Sequence, residues 1–236
     1  MILKVLSWNS WAGKNLEKAT AFLSKTDADI IGLQEVLERD KQNNAEDIAK
    51  KLGLNYFYCQ AFTDDRHNVP TYHLGNAILT KFTIEKSFCN ELSSLELYQK
   101  TSETEPRTAA EVDLSVNGKS LNFFSAHLAH SPRLRPSKMR DIQLNNLLKH
   151  LPNQLTILMG DFNSLPDSEV IKKLEEKLIN TDKDSSGTTA VDDDEHGKFN
   201  FRKDYIFVSP DITVKSFKIL DSDASDHLPI LAEIEI

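Results

Sequence analysis

The side chains of this 236-residue chain best suited to chemistry stand where apolar, strand-like runs stop. Asn9 follows Val5-Leu6-Ser7-Trp8, Glu35 follows Ile30-Ile31-Gly32-Leu33-Gln34, and His127 follows Phe123-Phe124-Ser125-Ala126. Asp161 and Asn163 follow Ile157-Leu158-Met159-Gly160, and Asp226-His227 precede the last apolar run. Strand ends that point the same way in packed sheets gather at one rim, so groups far apart in sequence can converge there. Carboxylates and amide oxygens without a cysteine cluster suit a hard divalent cation such as magnesium, while two histidines with local cations suit a phosphate. The chain has no GxxxxGK[ST] loop, no GxGxxG and no GxSxG. Nucleotide-driven transfer, a Rossmann cofactor and a serine hydrolase are thereby disfavoured. Metal-assisted phosphoester hydrolysis is the chemistry that remains.

The elements that must position these residues follow from periodicity. Ile2 to Trp8 reads as a buried strand, Leu16, Ala19 and Leu23 recur at helical spacing until Asp27 and Asp29, and Ile30 to Leu33 form a second strand. Ala45, Ile48, Ala49 and Leu52 make one helical face closed by Gly53, after which Tyr56 to Ala61 read as strand. Strands then dominate: Ala77 to Thr80, Ala109 to Val116 and Leu121 to Ala126, the last two joined as a hairpin by Asn117-Gly118. Ser137 is placed to cap a helix lined by Leu144, Leu147, Leu148 and Leu151, followed by a strand from Leu155 to Met159. A further helix starts at Asp167 or Ser168 and runs to about Leu178. Thr181 to Gly197, with its run Asp192-Asp193-Asp194-Glu195, reads as an exposed loop. Strands around Tyr205 to Val208, Thr213 to Ile219 and Leu228 to Ile236 close the chain. No linker or repeat divides it, so residues 1–236 are expected to form a single α/β domain, with many strands favouring two packed sheets.

Composition narrows the class. Hydrophobic residues at 39% and charged residues at 27% are globular values, which excludes a disordered or fibrous chain. No apolar run is long enough to span a membrane and no secretory leader is visible, so the cytoplasm is the expected location. Cys59 and Cys89 lie thirty positions apart with no paired ligand nearby. They read as small hydrophobes rather than as a zinc site or a disulfide. Lys and Arg number 28 against 36 Asp and Glu, a net charge of −8, so general attraction to nucleic acid is not implied. The segment Arg133, Arg135, Lys138, Arg140 is nonetheless a local basic run. It reads two ways, as a guide for an anionic substrate or as a solvated surface with Arg140 on the exposed side of its helix.

Ser7-Trp8-Asn9, Leu33-Gln34-Glu35-Val36, Ala126-His127-Leu128, Gly160-Asp161-Phe162-Asn163, Asp204-Tyr205-Ile206-Phe207-Val208 and Ser225-Asp226-His227-Leu228-Pro229 resemble, in order, the motifs of the endonuclease/exonuclease/phosphatase superfamily. Gly75 to Thr80 and Arg107-Thr108-Ala109-Ala110 are similar to softer segments of the same family. The resemblance implies a four-layer α/β/β/α sandwich with two central mixed β-sheets flanked by helices. It also implies a phosphoric ester hydrolase dependent on Mg2+ or Mn2+. Carried over residue by residue, Glu35 is the principal metal ligand, Asn9 orients metal or phosphate, and Asp226 lies at or near the metal. Asp161 positions or deprotonates the attacking water, Asn163 holds that water or a phosphate oxygen, and His227, steadied by Asp204, contacts the phosphate. His127 donates to a phosphate oxygen, and Arg107 is a further phosphate-binding candidate. Family precedent is divided between the aspartate and the histidine as general base.

The expected function is hydrolysis of a nucleic-acid or nucleotide-derived phosphoester, DNA or RNA included, by in-line water attack and without an obligate protein partner. The alternatives are a phosphatase or phosphodiesterase for a small or lipid-derived substrate, and a catalytically silent binding module. Taken singly, each motif residue has an ordinary structural explanation in a turn, a cap or a core; the ordered set is what speaks for chemistry. Trp8 and Trp11 are expected to be packing aromatics, and His67, His73 and His130 to sit at the surface or rim. The chain departs from the family pattern at two positions. Trp11 stands where apurinic/apyrimidinic endonucleases usually carry a second metal-site aspartate, and Lys203 precedes Asp204 where an apolar residue is commoner.

Overall fold

Alternation along the strands decides how the layers stack. In the computed structural model, which describes residues 1–64, 71–94, 96–97, 106–184, 186–194 and 197–236, the chain begins with β1 (Ile2–Asn9), α1 (Leu16–Thr26) and β2 (Ile30–Arg39). Next come β3 (Gln42–Asn43), α2 (Asn44–Leu52), β4 (Asn55–Asp64), β5 (Tyr72–Thr80), β6 (Ile84–Ser93), β7 (Arg107–Val116) and β8 (Lys119–His127). Helix α3 (Lys138–His150), β9 (Thr156–Asp161), α4 (Glu169–Glu175) and β10 (Ile179–Asn180) follow. The chain ends with β11 (Ala190–Asp194), β12 (Gly197–Phe201), β13 (Asp204–Val208), β14 (Thr213–Ile219) and β15 (Ile230–Glu235).

One sheet has the order β14-β15-β1-β2-β5-β4, with β3 appended to β2; the other has the order β10-β13-β9-β8-β7-β6. Each is mixed, because β1 and β2 run parallel in the first and β8 and β9 in the second, while the remaining pairs are antiparallel. Leu3, Val5, Ile78, Val112, Phe123, Met159, Ile206 and Ile234 meet between the sheets. The alternate residues face outward. Leu6, Trp8, Ile31 and Leu33 pack under α1 and α2, and Phe124, Leu158, Tyr205 and Phe207 under α3 and α4. Strands buried on both faces read as nearly continuous apolar runs, and the result is the expected four-layer sandwich.

Local chemistry sets the helix ends. The Asn43 side chain accepts from Glu46 N and the Ser137 hydroxyl from Arg140 N, while Gly53 closes α2 at φ 68°. Ser168 caps α4, which ends at Glu175 rather than near Leu178; a turn then carries Leu178 into the core. Asn117 and Gly118 both adopt positive φ in the β7–β8 hairpin, as a two-residue turn of that hand requires. Among the described residues, no helix is long and apolar enough to cross a membrane.

Three expectations are corrected. The stretch from Thr181 to Gly197 is not all loop: β11 and β12 pair as a separate two-stranded hairpin whose first strand contains Asp192 to Asp194. Glu195 and His67 lie outside the described residues. Arg140 is buried, not on the exposed side of α3. Finally, Cys59 and Cys89 form a disulfide. β4 and β6 are edge strands of opposite sheets, so the two cysteines become neighbours only once the sheets stack. Nothing in their sequence spacing could announce that.

The disulfide closes a loop with a sequence separation of 30, and constraint of the unfolded chain then contributes about 4 kcal/mol on the chain-entropy account. Cys89→Ser, or reduction, is expected to lower the unfolding free energy by about that amount in denaturant titrations. Denatured, unreduced protein should contain no titratable thiol; finding both thiols free would contradict the bridge.

Candidate active site

Register places the polar residues in two facing rows. In the second sheet His127 pairs with Asp161 across parallel strands and Asp161 with Asp204 across antiparallel ones. These three share the inter-sheet face because each lies two positions from an inward residue: Ser125, Met159 and Ile206 lie on the same side. In the first sheet Asn9 is registered with Gln34. Simple alternation would turn Glu35 outward with Leu33. A bulge between Leu33 and Val36, with Glu35 itself at φ 53°, turns it back toward the cleft. A non-glycine residue in that conformation is strained, and such strain collects at functional sites. At Gly160 the neighbouring β8 comes so close that a Cβ would lie 1.9 Å from the Ala126 carbonyl oxygen, so only glycine lets β8 and β9 carry His127 and Asp161 side by side.

The two rows meet at Asp161, which is 1% exposed. Trp11 N donates to Asn9 Oδ1, so the Asn9 amide presents Nδ2 to Glu35 Oε1 at 3.0 Å and to Asp161 Oδ2 at 3.3 Å. Asn163 N donates to Asp161 Oδ1 at 2.9 Å. The Nε2 atoms of His127 and His227 lie 3.6 and 3.7 Å from Asp161 Oδ2. Below the site, Gln34 Nε2 donates to Ser125 Oγ at 2.9 Å, and Asn76 Nδ2 to the Thr108 carbonyl at 2.8 Å, both tying sheet to sheet.

The two histidines are set to different states. Arg107 Nη1 lies 3.2 Å from His127 Nδ1 and Asn163 Nδ2 lies 3.1 Å from its Nε2, so a donor faces each ring nitrogen. Burial, then the Arg107 charge and His227, hold His127 well below the ordinary histidine value, so it is neutral. For His227, burial alone would lower the pKa; the Asp204 carboxylate, 3.0 Å from Nδ1, overcomes this together with Asp161 and raises it to about 9. Burial first, and Asp204 second, raise Asp161 to about 6, against the opposing charges of His227 and Lys203. Trp8 Nε1 donates to the His227 carbonyl at 2.9 Å. This indole is a buried packing group, as expected, and it also anchors the site.

Asn9, Glu35, Arg107, His127, Asp161, Asn163, Asp204 and His227 are thus brought together. Asp226 is the outlier: its side chain is exposed at the rim, 3.2 Å from the Ser225 hydroxyl. Among the described residues, the set of His, Cys, Asp and Glu side chains whose donor atoms cluster within 4.8 Å is Asp161, Asp204 and His227. Of these, Asp204 and His227 are already committed to each other. Glu35, half-buried and joined to Asp161 through one amide, offers oxygen donors with one side open to water, a set that fits a hard divalent ion. His73 and His130 lie at the periphery, His73 Nδ1 being bonded with Gln60 and Thr63. Sequence reading missed the roles of Gln34, Gln143 and Thr189. Thr189 Oγ1 accepts from both Lys203 N and Asp204 N, and only its place in the fold reveals it.

Two mixed sheets bearing carboxylates, amides and imidazoles at one rim define an α/β sandwich of the phosphoesterase class. The sequence profile of the Endonuclease/Exonuclease/phosphatase family matches residues 6–227, and the chain belongs to that family. Its members are phosphoric ester hydrolases, the enzyme class to which the chain is thereby assigned. Among solved structures, an endonuclease/exonuclease/phosphatase from Beutenbergia cavernae superposes with a TM-score of 0.85 at 18% identity, covering 100% of this chain and 72% of its own. A mannosyl-6-phosphatase from Bacteroides thetaiotaomicron gives 0.72 at 20% identity, covering 99% and 100%. ANGEL2, a 2',3'-cyclic phosphatase in complex with adenosine-2',3'-vanadate, gives 0.77 at 16% identity, covering 99% and 95%. No curated protein sequence matches the chain. At these identities the structural likeness concerns the fold.

The raised His227 pKa makes a stability prediction. Stabilisation from the charged ring is fully present below 6.5, its ordinary value, and is lost as pH rises through about 9. The difference in unfolding free energy between wild type and His227→Gln should therefore shrink by roughly 3 kcal/mol between pH 6 and pH 10. A difference that does not change with pH would contradict the Asp204–His227 pairing.

Proposed function

We propose that the chain is a Mg2+- or Mn2+-dependent phosphodiesterase that cleaves a nucleic-acid or nucleotide-derived phosphoester by in-line attack of water at phosphorus, with residues 1–236 acting as one catalytic domain. The observation that carries this reading is the convergence of two imidazole Nε2 atoms and the Asn9 amide on the buried Asp161 carboxylate, with Glu35 opposite. Glu35, with Asn9 beside it, is the proposed seat of the divalent ion, with the exposed Asp226 at or near it. Once bound, such an ion withdraws electron density from a phosphoryl oxygen and offsets its charge.

The chain's own groups divide the remaining work. Asp161, with a pKa of about 6, is ionised at neutral pH and weakly basic enough to orient water and accept its proton. His227 is already protonated, which favours Asp161 over His227 as the base and gives His227 the task of meeting negative charge on the phosphoryl group. His127 is placed to donate to a phosphoryl oxygen, with Arg107 held against its Nδ1. Asn163 Nδ2 donates to the Leu128 carbonyl, which leaves Oδ1, buried and without a hydrogen-bond partner, to accept from the attacking water.

Exposed Arg133, Arg135 and Lys138 follow His127 and offer a local cationic approach for a polyanion. The adenosine-2',3'-vanadate complex of ANGEL2 is consistent with a nucleotide-derived substrate. The mannosyl-6-phosphatase neighbour keeps a second reading open, a phosphatase for a small phosphate ester. The Cys59–Cys89 bridge weighs against the cytoplasmic expectation, since reducing compartments keep such pairs as thiols.

Glu35→Gln and Asp161→Asn are each expected to lower kcat by at least ~100-fold. The thermal transition should hold or rise, because the Asp161 carboxylate is costly to bury in its ionised form. Parallel loss of fold and activity would make both residues structural. Rigorous chelation should abolish turnover and added magnesium restore it; activity unchanged by chelation would end the metal reading. A panel of single-stranded DNA, duplex DNA, RNA and small phosphoesters tests the substrate class. Turnover of the small esters alone would favour the second reading.

A further inference from the structure

Helix α3 carries two buried polar residues, Arg140 and Gln143, on the side that faces the catalytic rim. Arg140 is 2% exposed. From Nη1 it donates to the carbonyls of Ala129 at 3.2 Å and Asn163 at 2.5 Å and to Ser131 Oγ at 3.3 Å. From Nη2 it donates to the carbonyls of Leu134 at 3.4 Å and Arg135 at 2.5 Å. All five acceptors are uncharged. A guanidinium buried in a cage of carbonyls, with no ion pair among the described residues, is an expensive way to fill a core. What it achieves is to join the segment after β8 to the segment after β9.

The segments it joins hold the reacting groups. Asn163 sits in the left-handed region at φ 47°, where a non-glycine residue needs support. Arg140 grips its carbonyl, its N–H holds Asp161 Oδ1, and its side-chain amide lies 3.1 Å from His127 Nε2. Gln143 works in the same direction. Its Oε1 accepts from Ala129 N at 2.7 Å, two residues beyond His127, and its Nε2 donates to Ser93 Oγ at 2.9 Å. Ser93 Oγ in turn accepts from Arg107 N at 3.1 Å. One face of α3 therefore reaches the backbone of Asn163, of the His127 loop and of Arg107.

We propose that Arg140, assisted by Gln143, is a positioning residue of the phosphoesterase site, holding Asn163 so that Asp161 and His127 keep their mutual alignment. The proposal rests on the reading of Asp161, Asn163 and His127 as the reacting groups. A residue of this kind acts on kcat with little change in KM, because the substrate loses no direct contact. A misplacement of about 1 Å among reacting groups lowers rates by about 100-fold.

The test uses the full chain, magnesium and an aryl phosphodiester. Arg140→Ala should lower kcat by about 100-fold, and Arg140→Lys, which keeps the charge but not the fork, by about 10-fold, with KM within about threefold in both. A cavity of about 370 Å3 lined by Leu134, Ser137, Arg140, Leu165 and Ser168 gives small solutes access to the vacated space. Millimolar methylguanidinium should therefore restore part of the kcat of Arg140→Ala, and methylammonium should not. Unimpaired kcat in both variants, or a loss of kcat that merely tracks a fall in Tm and resists rescue, would overturn the proposal. If Arg140→Ala does not fold, Gln143→Ala decides: a lower kcat at unchanged KM supports the proposal, and an unchanged kcat overturns it. Wild-type protein inactive on every phosphoester would instead overturn the underlying functional reading.

Discussion

One buried carboxylate sets the terms for the rest of the structure. Asp161 ends a strand in the middle of the second sheet, with a flanking strand on either side and the first sheet above it. An anion in such a place must be met by donors from every direction or be protonated. The fold supplies them: Asn9 from the first sheet, Asn163 from its own loop, His127 and His227 from either side. Each donor is then held in turn, Asn9 by Trp11 N, His127 by Arg107 and His227 by Asp204. The Asp204 carboxylate raises the pKa of Asp161 and that of His227 together. A site built around this constraint has one group able to take a proton near neutrality and another unable to give one up.

Much of this was legible in the sequence, for a physical reason. Strand ends are marked by the switch from apolar to polar residues, and parallel register then carries neighbouring ends to one rim, so Asn9, His127, Asp161 and Asn163 could be named from periodicity alone. The early β-α-β-α-β order and the Asn117-Gly118 turn were legible because they rest on local spacing and turn chemistry. What stayed hidden depends on contacts between distant segments. β6 is an exposed edge strand with little apolar alternation, and the Cys59–Cys89 bridge needs both sheets in place. The inward turn of Glu35 needs a bulge that alternation cannot foresee, although its neighbours Leu33 and Gln34 pointed to the position. Arg140 was misread because a cation among cations on a helix resembles a solvated face; only the carbonyls of two loops, brought over α3 by the fold, make its burial tolerable. Asp204 owed its assignment to family resemblance, and so did its pairing with His227, since nothing local in either residue declares a partner twenty-three residues away.

The same division explains how proteins of this fold differ in substrate. Asn9, His127, Asp161 and Asp204 sit at strand ends whose positions are fixed by hydrogen-bonded register. The surfaces a leaving group would meet are on connecting segments: the stretch after His127 with Arg133 stacked over Phe199, and the β11–β12 hairpin tied to the rim through the Ala190–His227 bridge. Loops vary more freely than the strands that launch them. A mannosyl-6-phosphatase and a 2',3'-cyclic phosphatase can therefore share this architecture at 20% and 16% identity to the chain. The inner shell constrains the reaction to phosphoryl chemistry. The outer loops, to which Arg140 and Gln143 tie the groups around Asp161, are the surfaces that a leaving group would meet.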